Sequence, residues 1–147
     1  MDRSSTIDDC RWVRFPKIEN VKGNLTPVHG GVEIPFEIRR VYYLYDVPGG
    51  ETRGGHAHRA LEQMIVCVSG SFDVLLDDGV YQRAETLNRP DTGLYIPRMI
   101  WRELVNFSTG AICLSLASLP YDASEYLYDY DDFIREKCTD LMPATGF

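Results

Sequence analysis

The segment "SFDVLLDDGVYQRAETL", Ser71 to Leu87, alternates apolar and polar residues along two arms that meet at Asp78-Gly79. Alternation with a period of two is strand geometry, and Asp-Gly is a favoured pair for the tight I′ turn of a β-hairpin. The same strand character recurs along the chain in "RWVRF" (11–15), "PFEIRRVYYLYDV" (35–47), "LEQMIVCVSG" (61–70), "GLYIP" (93–97), "MIWRELVNF" (99–107) and "AICLSLASL" (111–119). Each run is short, rich in β-branched and aromatic residues, and bounded by turn signals. This pattern predicts an all-β domain, a sandwich or barrel, with a jelly roll as the best single architecture. After Pro120 the pattern changes. Tyr126, Tyr130, Phe133 and Ile134 follow helical spacing, which predicts one short C-terminal α-helix at about 122–137 with Ser124 as its cap. Residues 1–10 read as a flexible lead, and 11–140 as one domain.

A chain of 147 residues can bury one core but not two. The N-terminus lacks an apolar signal segment and no run reaches the length of a membrane span, so the sequence predicts a cytoplasmic protein without membrane contact. The four cysteines, Cys10, Cys67, Cys113 and Cys138, have no zinc-site spacing. Cys67 and Cys113 lie in apolar runs and read as core thiols. The net charge is −7, and residues 120–140 hold seven acids against two bases. An acidic chain of this kind is a poor nucleic-acid binder. Arg39, Arg40, Arg53 and Arg59 nevertheless cluster in sequence, which suits a small anionic ligand.

That cluster surrounds "RGGHAHRALEQ", Arg53 to Gln63. On a regular strand His56, His58 and Glu62 share a face. The spacing resembles the first cupin motif: Gly50, five residues, His56 and His58, then Glu62, with the closing Gly70 one residue late. The second motif has its counterpart in "GLYIPRMIWRELVN", with Pro97 and Asn106 in place. The position that should supply the fourth metal ligand is Arg102, which has no lone pair to give and repels a cation. The expectation is therefore a cupin-type jelly roll without a metal or other cofactor. A three-ligand metal enzyme, an oxygenase or isomerase, is the alternative, and a non-catalytic nucleotide-sugar-binding cupin is a second.

A closer resemblance rests on linked motifs: R-R-V-Y-Y from Arg39, R-G-x-H-A-H from Arg53, L-E-Q from Leu61, D-D-G from Asp77 and W-R-E from Trp101. As a set they resemble the nucleotide-sugar 3,4-ketoisomerases, the WxcM/FdtA/QdtA-like cupins, over roughly residues 12–137. The resemblance implies metal-free conversion of dTDP-4-keto-6-deoxyglucose to its 3-keto isomer, on the way to 3-amino-3,6-dideoxy sugars. It also implies a homodimer with exchanged N-terminal strands.

Moving a ketone from C4 to C3 needs a base near neutrality and a stabilised enediolate. The resemblance places His56 and His58 beside the sugar, with His58 expected as the main base and His56 as its partner. Arg102, Arg40 and Tyr42 are the expected oxyanion donors. Arg40 and Tyr42 share one strand face, Arg39 and Tyr43 the other. Arg53 is expected at the pyrophosphate, and Glu62 as an orienter of a histidine. Glu62 and Gln63 are both candidates to bind substrate, but Gln63 has the opposite parity, so at most one of them should reach the cavity. Trp101, Tyr95 and Tyr45 are candidates to pack on thymine. His29 reads as a loop or interface residue. In the family the Lys22 and Arg102 positions bear on which face of C4 is protonated, and this pair is compatible with galacto or gluco products.

Overall fold

The computed structural model describes residues 5–141. Ten strands form two antiparallel sheets. The first has the order β1 (Arg11–Arg14), β7 (Thr92–Ile96), β4 (Gln63–Ser69), β9 (Ile112–Ala117), β2 (Arg40–Leu44). The second runs β10 (Tyr126–Leu127), β3 (Arg53–His58), β8 (Trp101–Val105), β5 (Phe72–Asp77), β6 (Gln82–Leu87). The chain passes repeatedly from one sheet to the other, so sequence neighbours face each other across the core. This is the jelly-roll arrangement expected from the strand pattern.

Alternation decides what lies between the sheets. Ile65, Cys67, Leu94, Ile96 and Cys113 of the first sheet meet Phe72, Val74, Leu76, Leu87 and Leu104 of the second. The outer face of the first sheet is covered by the segment after β1: Phe15, Ile34 and Phe36 pack on Met64, Val66, Tyr95 and Leu116. The second sheet is capped at one end by α1 (Tyr130–Leu141), whose Phe133 packs with Ala57, Met99 and Leu127. The middle of the jelly roll is thus apolar. His58, Gln63, Arg102 and Ser115 are buried polar residues gathered toward one end.

Three local expectations change. The helix begins at Tyr130, not near 122, and Asp129 caps it by accepting from the Asp132 N–H at 3.0 Å. Ser124 instead lies in a 3-10 turn, Ala123–Glu125, capped by Asp122, and Tyr126–Leu127 then pairs with β3 as a strand. The β5–β6 connection is a four-residue loop, because Asp77 pairs with Gln82. Asp78 is not in the left-handed region a I′ turn needs. It folds its carboxylate back to accept from the Val80 and Tyr81 N–H groups, and only Gly79 takes positive φ, at 94°. Residues 5–10, expected as part of a flexible lead, are tied down. Ile7 and Cys10 are buried and the Ile7 N–H donates to Asp78 at 2.8 Å. Among the described residues no helix is long and apolar enough to cross a membrane.

Candidate active site

The two histidines occupy the inward face of β3, and the register explains why. His56 lies opposite Arg102 of β8, and His58 opposite Tyr126 of β10. Directly opposed residues share a face, so all four side chains point between the sheets. A bulge at Gly54-Gly55 sets this phase, with the two glycines at φ 95° and 57°. The inserted residue twists the strand and leaves the Gly54 carbonyl within 2.9 Å of His56 Nδ1.

That contact fixes the protonation of the pair. A carbonyl only accepts, so His56 carries its hydrogen on Nδ1 and a lone pair on Nε2. The Nε2 of His58 stands 3.1 Å away and must then be the donor. His58 Nδ1 is left with a lone pair, buried and without a partner among the described residues. Burial first, and then the Arg102 charge, push the His56 pKa down to about 4. The same causes, with His56 and Arg40 added, hold His58 well below the ordinary range. Both rings are neutral at pH 7. His58 is 1% exposed, while His56 is only partly buried.

Arg102 forms the floor. It is 1% exposed, and its guanidinium gives hydrogen bonds to the Ile100 carbonyl at 2.9 and 3.2 Å and to Gln63 Oε1 at 2.6 Å. No carboxylate pairs with it among the described residues. Burial lowers its pKa to about 10, so it stays charged at neutral pH. Gln63 in turn donates to Tyr42 Oη at 2.7 Å and Ser115 Oγ at 2.5 Å. Arg40 stacks on the Tyr42 ring at 4.5 Å and donates to Tyr126 Oη at 2.8 Å. Tyr126 closes the wall, its ring centre 4.5 Å from that of His58 and 5.2 Å from that of His56.

The structure therefore brings His56, His58, Arg102, Tyr42, Arg40 and Gln63 together. It separates the others. Glu62 does not join the histidines, because the chain bends at Arg59-Ala60 and crosses to the other sheet before β4 begins, so strand parity does not carry across. Its carboxylate accepts from the Tyr95 hydroxyl. Tyr95 belongs to the outer face of the first sheet, where Arg11 lies over its ring at 4.7 Å. Trp101 alternates with Arg102 and faces away from the histidines, against Tyr130 and Phe133. It lines a groove of about 550 Å³ with Asp77, Gln82 and Glu103 that holds neither histidine. Arg53 and Tyr45 are exposed beside a separate concavity. Lys22 lies in the exposed turn closed by the Gly23 N–H and the Asn20 carbonyl at 3.0 Å. His29 pairs with Glu33 in a loop, at 3.2 Å. Sequence reasoning missed Tyr126 and Ser115. The alternation of Tyr126 and Tyr128 with Leu127 was the available strand signal for the first.

The cupin fold raises the question of a metal. These residues do not fit one. The two imidazoles are spent on each other and on a carbonyl, Glu62 is engaged elsewhere, and the fourth position is a buried guanidinium. Among the described residues no three His, Cys, Asp or Glu side chains converge.

A jelly roll holding a neutral histidine pair over a buried arginine defines a cupin-type protein equipped for proton transfer. The chain belongs to the FdtA family, described as WxcM-like, C-terminal, whose model matches residues 8–138. It is 43% identical over 121 residues, 82% of this chain and 87% of the other, to the TDP-4-oxo-6-deoxy-α-D-glucose-3,4-oxoisomerase of Aneurinibacillus thermoaerophilus. It resembles the WlaRB TDP-quinovose 3,4-ketoisomerase of Campylobacter jejuni with 46% identity and a TM-score of 0.84, covering 88% of this chain and 99% of that one. A histidine-to-asparagine variant of the 3,4-ketoisomerase QdtA from Thermoanaerobacterium thermosaccharolyticum, solved with TDP-4-keto-6-deoxyglucose, matches with a TM-score of 0.90 and 36% identity over 94% of this chain and all of that one.

The bulge yields a direct test. A Cβ at position 54 would sit 3.0 Å from the Arg102 carbonyl oxygen and 3.2 Å from Glu103 Cα, at a φ that disfavours L side chains. Gly54→Ala should cost about 1–3 kcal/mol of stability in a denaturant melt and remove the carbonyl from His56. An unchanged melt would mean that the bulge does not hold this geometry.

Proposed function

We propose that the protein is a sugar 3,4-ketoisomerase. It converts dTDP-4-keto-6-deoxy-D-glucose to the 3-keto isomer through an enediol, in the making of 3-amino-3,6-dideoxy sugars. The observation that carries this is Arg102, a buried cation with no carboxylate partner among the described residues, beside two neutral histidines. A buried unpaired charge is costly, and an oxyanion formed between it and the histidines would supply the missing counter-charge. The relatives named above act on this class of TDP-linked ketosugar.

The proton comes off C3 as the C4 carbonyl takes up the electrons, which gives a C3–C4 double bond and an oxyanion on C4. Arg102, as buried as His58, acts on that oxyanion through its charge from the floor of the site rather than by a direct hydrogen bond. Tyr42 is the donor that can reach it, and Arg40 packs on Tyr42 and bonds to Tyr126. The C3 hydroxyl proton passes to the C4 oxygen, and return of the carbon-bound proton to C4 then makes the C3 ketone. His56, rather than the His58 favoured on sequence, takes the C3 proton. It is the less buried ring and its pKa is the less depressed, and the Gly54 carbonyl keeps its lone pair on Nε2. The His58 N–H that occupies this lone pair must give way as the substrate enters, and His58 itself is too buried to meet a sugar. No metal takes part. We place the enzyme in the cytoplasm, a reading supported by its free thiols at Cys10, Cys67 and Cys113.

The test is incubation with dTDP-4-keto-6-deoxyglucose in deuterated water, with a 3-aminotransferase to trap product. The wild-type chain should incorporate deuterium, yield an amino sugar, and keep its rate after prolonged chelation. His56→Asn should lose C3 exchange and about 10²–10⁴-fold in rate, whereas His58→Asn should retain measurable exchange. Activity abolished by chelation and restored by one divalent ion would overturn the metal-free reading.

The working form is a homodimer with exchanged N-terminal strands. The segment after β1 exposes Ile18, Val21, Leu25 and Val32, at 56, 102, 58 and 73%. An exchanged partner would cover them and protect the β1 edge. Sedimentation at micromolar concentration should give the mass of two chains; a monomer would contradict it.

A further inference from the structure

The contacts of Gln63 fix the direction of every proton around Tyr42, a consequence that rests on the isomerase reading and extends it. A guanidinium has only hydrogens to give. Arg102 Nη1 lies 2.6 Å from Gln63 Oε1, so that atom is the amide oxygen and the flip of the side chain is settled. The amide nitrogen then faces Tyr42 Oη at 2.7 Å and Ser115 Oγ at 2.5 Å, and it gives one hydrogen to each. Both hydroxyl oxygens accept. Among the described residues the hydrogen of Tyr42 makes no hydrogen bond, and the neighbouring Ser115 hydroxyl, which interacts with the phenol, already accepts from Gln63. Burial raises the phenol above its ordinary value, so that hydrogen is present at neutral pH.

Gln63 was expected to bind substrate. It is 3% exposed, its oxygen is taken by Arg102, and both its hydrogens are taken by hydroxyls. Nothing on the amide remains to offer a sugar. We propose instead that Gln63 is a positioning residue: oriented by Arg102, it forces Tyr42 to accept and so turns the Tyr42 O–H into the cavity as a donor to the C4 oxyanion. Arg102 then acts twice, as a charge and, through Gln63, as the group that sets the direction of a second donor.

The experiment is a double-mutant cycle on the full-length protein. Gln63→Met keeps the length of the side chain and brings no carboxylate to neutralise Arg102, but has no hydrogen to give. Nothing then obliges the Tyr42 oxygen to accept, and its hydroxyl is free to turn away from the substrate. Tyr42→Phe removes the donor outright. Tyr42→Phe should lower kcat by about 10²-fold or more, the usual cost of one oxyanion donor, and Gln63→Met by a smaller factor, with KM nearly unchanged in both. The double variant should be no slower than Tyr42→Phe alone within about twofold, because Gln63 then has nothing left to orient. If the two losses multiply, Gln63 acts through packing or through the Arg102 charge, and the inference is overturned. Gln63→Leu, which neither gives nor captures a hydrogen, serves in the same cycle if the methionine variant fails to fold. In that cycle it too should add nothing to Tyr42→Phe. Losses that multiply in a turning-over enzyme defeat this inference alone, whereas a wild-type chain without turnover defeats the isomerase reading and this inference together.

Discussion

A guanidinium that is 1% exposed, with a carbonyl and an amide oxygen but no carboxylate for company among the described residues, is an expensive thing to fold around. The arrangement of this end of the jelly roll follows from it. Arg102 settles the flip of Gln63, which settles the roles of Tyr42 and Ser115. Its charge helps to keep both histidines neutral, and neutral histidines can sit 3.1 Å apart as donor and acceptor, where two imidazolium ions could not. The Gly54 carbonyl then decides which nitrogen holds each hydrogen. One buried charge, one bulge and one amide together specify a chain of proton positions that no single residue encodes.

The same charge explains how a metal-binding scaffold can serve acid–base chemistry. In a jelly roll of this type the inward faces of two sheets converge at one end. Side chains placed there meet whatever their chemistry. With Arg102 in the cavity and Glu62 turned to Tyr95, the residues that remain are suited to hold a negative charge beside a base. That is what moving a carbonyl along a sugar requires.

Much of this was legible in the sequence, for an identifiable reason. Where a strand is regular, parity alone predicts company: His56 with His58, Arg40 with Tyr42, and Tyr43 exposed on the other face. Where the chain leaves a strand, parity fails. Glu62 was grouped with the histidines across a bend that changes sheets, and Gln63, on the wrong parity by that count, reaches the cavity. Trp101 follows from the same alternation that points Arg102 inward, yet was read by residue type rather than by face. Tyr126 fitted a helical period by chance of spacing, since Tyr130 and Phe133 are helical and Tyr126 is not. The direction of the hydrogen bonds has no sequence signature. It depends on distances between side chains drawn from five strands.

The central claim is that burial and Arg102 hold the catalytic histidine neutral far below the usual imidazole range. The pH dependence of kcat/KM reports the ionisation of the free enzyme's base. A base acts only when unprotonated, so lowering its pKa carries activity to lower pH. With His56 pushed down from 6.5 to about 4, kcat/KM of the wild-type protein in short assays should stay level from about pH 8 to pH 5 and fall only as pH approaches 4. An acid limb with its midpoint near the ordinary value of 6.5 would contradict the account.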